Sequence, residues 1–132
     1  MNLNYLVDTD WVIHYLHAHP GIVSRLGELQ PQGLALSIIS LAELYEGVFY
    51  SRDPGGDRQD LADFLRGVTV LGIERDTAEL FGRERGRLRA AGTLIGDFDL
   101  LIGATAITHN LTLLTNNRSH FARIEGLRME SV

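Results

Sequence analysis

A chain of 132 residues has the size of one domain, so residues 1–132 are expected to fold as a single unit. A hydrophobic content of 45% suits a buried core, and the lack of cysteine excludes disulfides, zinc–thiolate sites and thiol nucleophiles. The net charge of −5 argues against sequence-independent coating of nucleic acid, and all 12 basic residues are arginine, which closes any mechanism needing a lysine amine.

The opening segment Met1 to Val7 has no basic stretch leading into a long apolar run, and no segment reaches the roughly 20 apolar residues of a membrane span. A soluble, unprocessed cytoplasmic protein with no membrane partner is expected. Leu3 to Val7 reads as a short apolar strand ending at Asp8. Thr9 or Asp10 then caps a helix through Trp11, Val12, Tyr15 and Leu16, broken at Pro20-Gly21. A second helix covers about Ile22 to Leu29, and Pro31-Gln32-Gly33 turns into the strand Leu34 to Ile38. Ser40 precedes Glu43 at capping-box spacing, which predicts Glu43 in the first turn of the next helix, along Leu41, Leu44, Tyr45 and Val48.

The loop Arg52 to Asp57 is followed by a helix marked by Leu61, Phe64 and Leu65. Val68 to Ile73 reads as a third strand, and Asp76 or Thr77 opens a charged helix that runs to about Ala91 and stops at Gly92. Asp97 to Thr108 is a helix buried around much of its circumference, because Leu100, Leu101, Ala104 and Ile107 leave little of it polar. Leu111 to Leu114 is a fourth strand, Asn116-Asn117 a loop, and Leu127 to Val132 a short final strand. Strands alternating with helices predict a three-layer α/β/α sandwich on a short, mainly parallel sheet.

Such sheets bind ligands beyond the carboxyl ends of their strands, and the acids fall there. Asp8 follows strand one, Glu43 the second strand, and Asp97 and Asp99 open the helix before the fourth. Carboxylates crowded together repel one another unless a hard cation such as Mg²⁺ or Mn²⁺ neutralises them. Asp99 is embedded between Phe98 and the apolar run Leu100 to Ile102, where an unpaired charge is costly. Taken singly, each acid is as well explained by helix capping or by the helix dipole; their convergence is what points to a metal. A strand followed by Asp8-Thr9-Asp10 also suits haloacid-dehalogenase phosphatases, and clustered acids suit phospho-acceptor receivers, but both usually rely on a lysine, and this chain has none.

Three strings resemble the PIN-domain ribonucleases, and among them the VapC-type toxins of bacterial toxin–antitoxin pairs. They are Tyr5-Leu6-Val7-Asp8-Thr9-Asp10, then Ser37 to Gly47 around Glu43, then Ile95-Gly96-Asp97-Phe98-Asp99-Leu100 continuing into Leu111 to Asn117 and Phe121. With the closing Gly126-Leu127-Arg128, the likeness covers essentially the whole chain. The resemblance implies a PIN-like fold and an endoribonuclease dependent on Mg²⁺ or Mn²⁺. Its principal acids would be Asp8, Glu43 and Asp99, with Asp97 as an additional acid and metal ligand. Asn117 stands where relatives carry a fourth acid, so one firmly held ion is expected, and Asp10 stands where Asn is common. Thr9 and Thr115 would add hydroxyl or backbone contacts. RNA is the implied substrate, a cognate antitoxin the implied partner, and a homodimer the implied assembly; the alternative is a PIN-fold module that binds RNA or a partner without cutting.

Three features are expected to stay outside the chemistry. His14, His17 and His19, like His109 and His120, read as exposed or helix-end residues. Arg83, Arg85, Arg87 and Arg89, interleaved with Glu79 and Glu84, read as a solvated charged surface more readily than as a phosphate-holding rim. Tyr45, Phe49 and Tyr50 read as core or interface.

Overall fold

The computed structural model describes residues 2–132; Met1, the first residue of the opening segment, lies outside them. Five short strands, β1 (Tyr5–Val7), β2 (Leu34–Ser37), β3 (Thr69–Leu71), β4 (Thr112–Leu114) and β5 (Met129–Glu130), form one sheet in the order β3-β2-β1-β4-β5. All four pairings are parallel, so the sheet expected to be mainly parallel is wholly so. The crossovers are α1 (Thr9–Leu16), α2 (Pro20–Leu29), α3 (Ile38–Phe49), α4 (Pro54–Leu65), α5 (Arg75–Ala90), α6 (Asp97–Thr108) and the one-turn α7 (Arg118–Phe121).

Period-two alternation along the strands divides the interior into two cores. Val7, Leu34, Leu36 and Leu114 pack with Trp11, Val12, Ile22, Leu26, Leu44, Leu61 and Phe64, which places α1 to α4 on one face. Leu6, Ala35 and Leu113 point the other way, onto Leu88, Leu100, Ile102, Ala106 and Phe121 of α5 to α7. Both faces of the sheet are therefore covered, as a parallel sheet requires. Gly33 sets the entry to β2: its φ is 93°, its carbonyl accepts from the Asn4 and Tyr5 amides, and a side chain there would run into the Asn2 carbonyl. Among the described residues no helix is long and apolar enough to cross a membrane.

The strand order fixes where a site can form. From β1 the chain winds outward through β2 to β3, then returns and winds the opposite way through β4 to β5. Connections leave β1 and β4 in opposite directions, so a crevice opens between their carboxyl ends. Asp8 is the first residue beyond β1 and Thr115 the first beyond β4.

Local expectations are corrected at two helix starts beside the site: α1 is capped by Asp8 and not by Thr9 or Asp10, and α3 starts earlier than expected. α3 begins at Ile38 directly after β2, capped by Ser37, whose hydroxyl accepts from the Ile39 amide at 3.0 Å. Glu43 therefore lies in the second turn of α3, and Ser40 is a buried residue of the helix itself. β2 and α3 share a boundary with no loop between them, so the earlier serine takes the cap.

Candidate active site

Asp8 is 4% exposed and held from both sides. Its Oδ1 accepts from the Thr9 amide at 2.8 Å, because Asp8 caps α1, and its Oδ2 accepts from the Thr115 hydroxyl at 2.7 Å. Burial, followed by repulsion from Asp10, outweighs those two bonds and pushes the Asp8 carboxyl up from 3.8 to about 7. Asp10 Oδ2 accepts from the Asn116 amide at 3.1 Å, whereas its buried Oδ1 has no hydrogen-bond partner. Asp10 is thus more than a helix-start residue: it ties α1 to the loop after β4 and adds charge beside Asp8.

Two further acids join this pair through hydrogen-bonded neighbours. Thr9 Oγ1 lies 2.8 Å from Glu43 Oε1 and 2.9 Å from Ser40 Oγ, which brings α3 to the start of α1. On the other side the Thr115 hydroxyl also accepts from the Asn117 amide at 3.0 Å, and Asn117 Nδ2 donates to Asp99 Oδ2 at 3.3 Å. Glu43, Thr9, Asp8, Thr115, Asn117 and Asp99 therefore form one chain of contacts across the crevice. Its acids come from the end of β1, the second turn of α3 and the start of α6, which are far apart in sequence.

Asp97 does not join that chain. Its side chain is 57% exposed and turns along α5 to Arg85, whose Nε donates to Oδ1 at 2.8 Å. Residues two apart on a helix point in different directions, so Asp97 and Asp99 diverge although both open α6.

His120 was missed by sequence reasoning. It is an exposed residue of α7, as expected, yet its Nδ1 lies 3.2 Å from Asp99 Oδ2 and 3.0 Å from Asn117 Nδ2. The available signal was the three-residue spacing from Asn117, which sets two side chains on one side of a helical turn. His14 and His19 are exposed, with His19 capping α2, and His17, also exposed, lines the groove beside Glu43.

The remaining side chains serve packing and support. Arg83, Arg87 and Arg89 are exposed, but Glu84 is buried and held by Arg87 at 2.6 Å, so that part of the expected solvated face is an anchored ion pair. Tyr45 is half-buried whereas Phe49 and Tyr50 are exposed, and the Arg58 guanidinium sits over the Tyr45 and Phe49 rings at 5.6 and 5.3 Å. The loop after β4 is braced from below. Asn116 Oδ1 accepts from the Trp11 indole and from the Val132 amide, each at 3.0 Å.

Among the described residues no three His, Asp or Glu side chains are already gathered tightly enough to ligate one ion. Hydroxyl and amide groups stand between the carboxylates instead. The donor set nevertheless fits a hard divalent cation: it is rich in carboxylate oxygens, one of them buried and orphaned on Asp10, and burial and Asp10 oppose ionisation of Asp8. Neutralising that excess charge is what such an ion does.

Comparison with known proteins agrees with this architecture. A family model described as PIN domain matches residues 5–127. The chain is 35% identical to Ribonuclease VapC2 of Haemophilus influenzae over 130 residues, covering 98% of both proteins. It is 29% identical to the tRNA(fMet)-specific endonuclease VapC of Shigella flexneri, covering 97% of both. Among solved structures, VapBC2 from Rickettsia felis bound to a promoter DNA fragment contains a chain 32% identical, with a TM-score of 0.92 over 98% of this chain and 99% of that one. The crevice between β1 and β4 is thus set in a known frame: this chain belongs to the PIN-domain family and is homologous, over nearly its full length, to the VapC ribonucleases, toxins of VapBC toxin–antitoxin systems.

Proposed function

We propose that this protein cleaves RNA phosphodiester bonds by hydrolysis, with Asp8, Glu43 and Asp99 holding a divalent cation, Mg²⁺ or Mn²⁺, and with Asp97 adding charge at the rim. The observation that carries the reading is the continuous hydrogen-bonded chain from Glu43 through Asp8 to Asp99 at the switch point of the sheet. When bound, the cation acts as a Lewis acid on the scissile phosphate and makes water a better nucleophile.

The residues of the chain supply position and charge. Thr115 fixes the Asp8 carboxylate by its hydroxyl, and Thr9 fixes Glu43, so each acid keeps a defined lone pair toward the crevice. Asn117 holds Asp99 and adds no charge of its own, which suits one firmly bound ion rather than two. The resemblance to PIN-domain ribonucleases implies in-line attack of water without a covalent enzyme intermediate, and the chain has neither lysine nor cysteine to form one.

The partners proposed are an antitoxin and a second copy of the chain. A groove of about 290 Å³ lined by Ile13, Leu16, Leu44, Val48 and Leu61 runs from Glu43 toward Asp57 and Asp60, giving an apolar floor that ends in acids. An antitoxin segment that fills it with apolar and basic side chains covers Glu43 as it binds, which couples partner binding to inhibition. The test is incubation of the purified protein, freed of antitoxin, with total RNA. Cleavage is expected only with Mg²⁺ or Mn²⁺ and is expected to be lost in Asp99→Asn; metal-independent cleavage, or an active Asp99→Asn variant, overturns the reading.

A further inference from the structure

Asp99 Oδ2, Asn117 Nδ2 and His120 Nδ1 form a triangle with sides of 3.3, 3.0 and 3.2 Å. Every side has hydrogen-bond length, but a carboxylate oxygen only accepts, a carboxamide nitrogen only donates, and a ring nitrogen does one or the other. Three such atoms cannot alternate donor and acceptor around a closed ring. If His120 Nδ1 accepts from Asn117, its lone pair faces that of Asp99. If it carries a proton, it donates to Asp99 and leaves the ring nitrogen and the Asn117 amide as two donors 3.0 Å apart. Turning the carboxamide over moves the conflict to the side between Asn117 and Asp99. A positive charge among the three atoms, either a shared proton or a metal ion, removes the conflict.

We infer that His120 is a ring-nitrogen ligand for the divalent cation, and that it makes this site favour Mn²⁺ and other transition ions over Mg²⁺. The inference rests on the nuclease reading above and deepens it by assigning the ion. With the carboxamide of Asn117 turned, all three groups offer lone pairs to one ion, and the Asp8 carboxylate, joined to Asn117 through the Thr115 hydroxyl, favours a divalent charge over a proton. Mg²⁺ prefers oxygen donors and sheds water reluctantly, whereas imidazole is a better donor to transition ions. His120 is 47% exposed on its side chain, so it is free to adjust to an ion and its replacement leaves the core untouched.

The experiment is Mn²⁺ titration of the metal-free protein followed by electron paramagnetic resonance, with Mg²⁺ as competitor, on wild type, His120→Gln and His120→Glu. Thermal melts confirm that all three are folded. In the wild type, spin-echo modulation from a ring nitrogen is expected on bound Mn²⁺. His120→Gln is expected to lose that modulation and at least about tenfold in Mn²⁺ affinity, with less than about threefold change for Mg²⁺. His120→Glu is expected to reverse the preference toward Mg²⁺. Bound Mn²⁺ without ring-nitrogen modulation, or an unchanged Mn²⁺/Mg²⁺ ratio in His120→Gln, overturns this inference and leaves the nuclease reading standing. Failure of the wild type to bind either ion overturns both.

Discussion

The two ends of the acid network are built differently. Asp8 is buried and doubly held: Thr9 and the buried Thr115 take its two oxygens, and the loop beneath is tied to Trp11 and to Val132. Around Asp99 the groups are half-exposed, and the contacts with Asn117 and His120 cannot all be satisfied at once. The buried end provides a fixed carboxylate whose ionisation is opposed by its surroundings. The open end provides adjustable donors, where on the proposed reading substrate and ion would enter. A site that must accept both needs one end of each kind.

Removing a charge from the open end should have the largest effect. Asp99→Asn is expected to lower RNA cleavage by about 10³-fold, on the scale seen when a group that stabilises transition-state charge is lost, with little change in melting temperature. A cleavage assay beside a thermal melt checks both halves of that statement.

The buried end should show itself through pH. Because the folded Asp8 carboxyl is raised to about 7 from 3.8, ionisation is less favourable in the folded chain than in the unfolded one. Metal-free stability attributable to Asp8 is therefore full below about pH 4, falls by a few kcal/mol as pH rises to about 7, and is flat above. Denaturant midpoints across that range should show the decline in wild type and lose that component in Asp8→Asn.

How much of this was legible in the sequence depends on the length of chain involved. The helix Asp97 to Thr108 shows its own boundaries, because Gly96 precedes an acidic first turn and an apolar run follows. The strands are legible as apolar segments, but their ends are trimmed. Val68 to Ile73 reads as strand, yet only Thr69 to Leu71 pairs with β2, and pairing is a property of two strands. The Ser40–Glu43 spacing misled because capping boxes assume a loop before the helix. His120 was invisible for a related reason: α7 is four residues long, too short for periodicity, and the contact with Asp99 spans 21 positions. Asp8, Glu43 and Asp99 could be marked as sheet-end acids, whereas the hydroxyl and amide links joining them are tertiary facts.

Smaller effects sharpen the contrast between the two ends. Thr115→Val leaves one buried oxygen of Asp8 without a partner and is expected to cost about 1–3 kcal/mol in chemical denaturation. It also raises the Asp8 carboxyl further, because the lost bond favours its charged form, so the pH at which cleavage rises should move upward. Asn116→Ala frees the Trp11 indole and the Val132 amide and should cost about 1 kcal/mol. Asp97→Asn, which breaks an exposed pair with Arg85, should change stability by less than about 0.5 kcal/mol and reduce cleavage far less than Asp99→Asn.

The central claim is that these acids share a cation that Asp8 binds only after giving up its proton. Calorimetric titration of the metal-free protein with Mn²⁺ at pH 6, repeated in buffers of different ionisation enthalpy, tests it most directly. The account predicts one tightly bound ion accompanied by release of close to one proton, and loss of both in Asp8→Asn. Binding that releases no proton and persists unchanged in Asp8→Asn would contradict it.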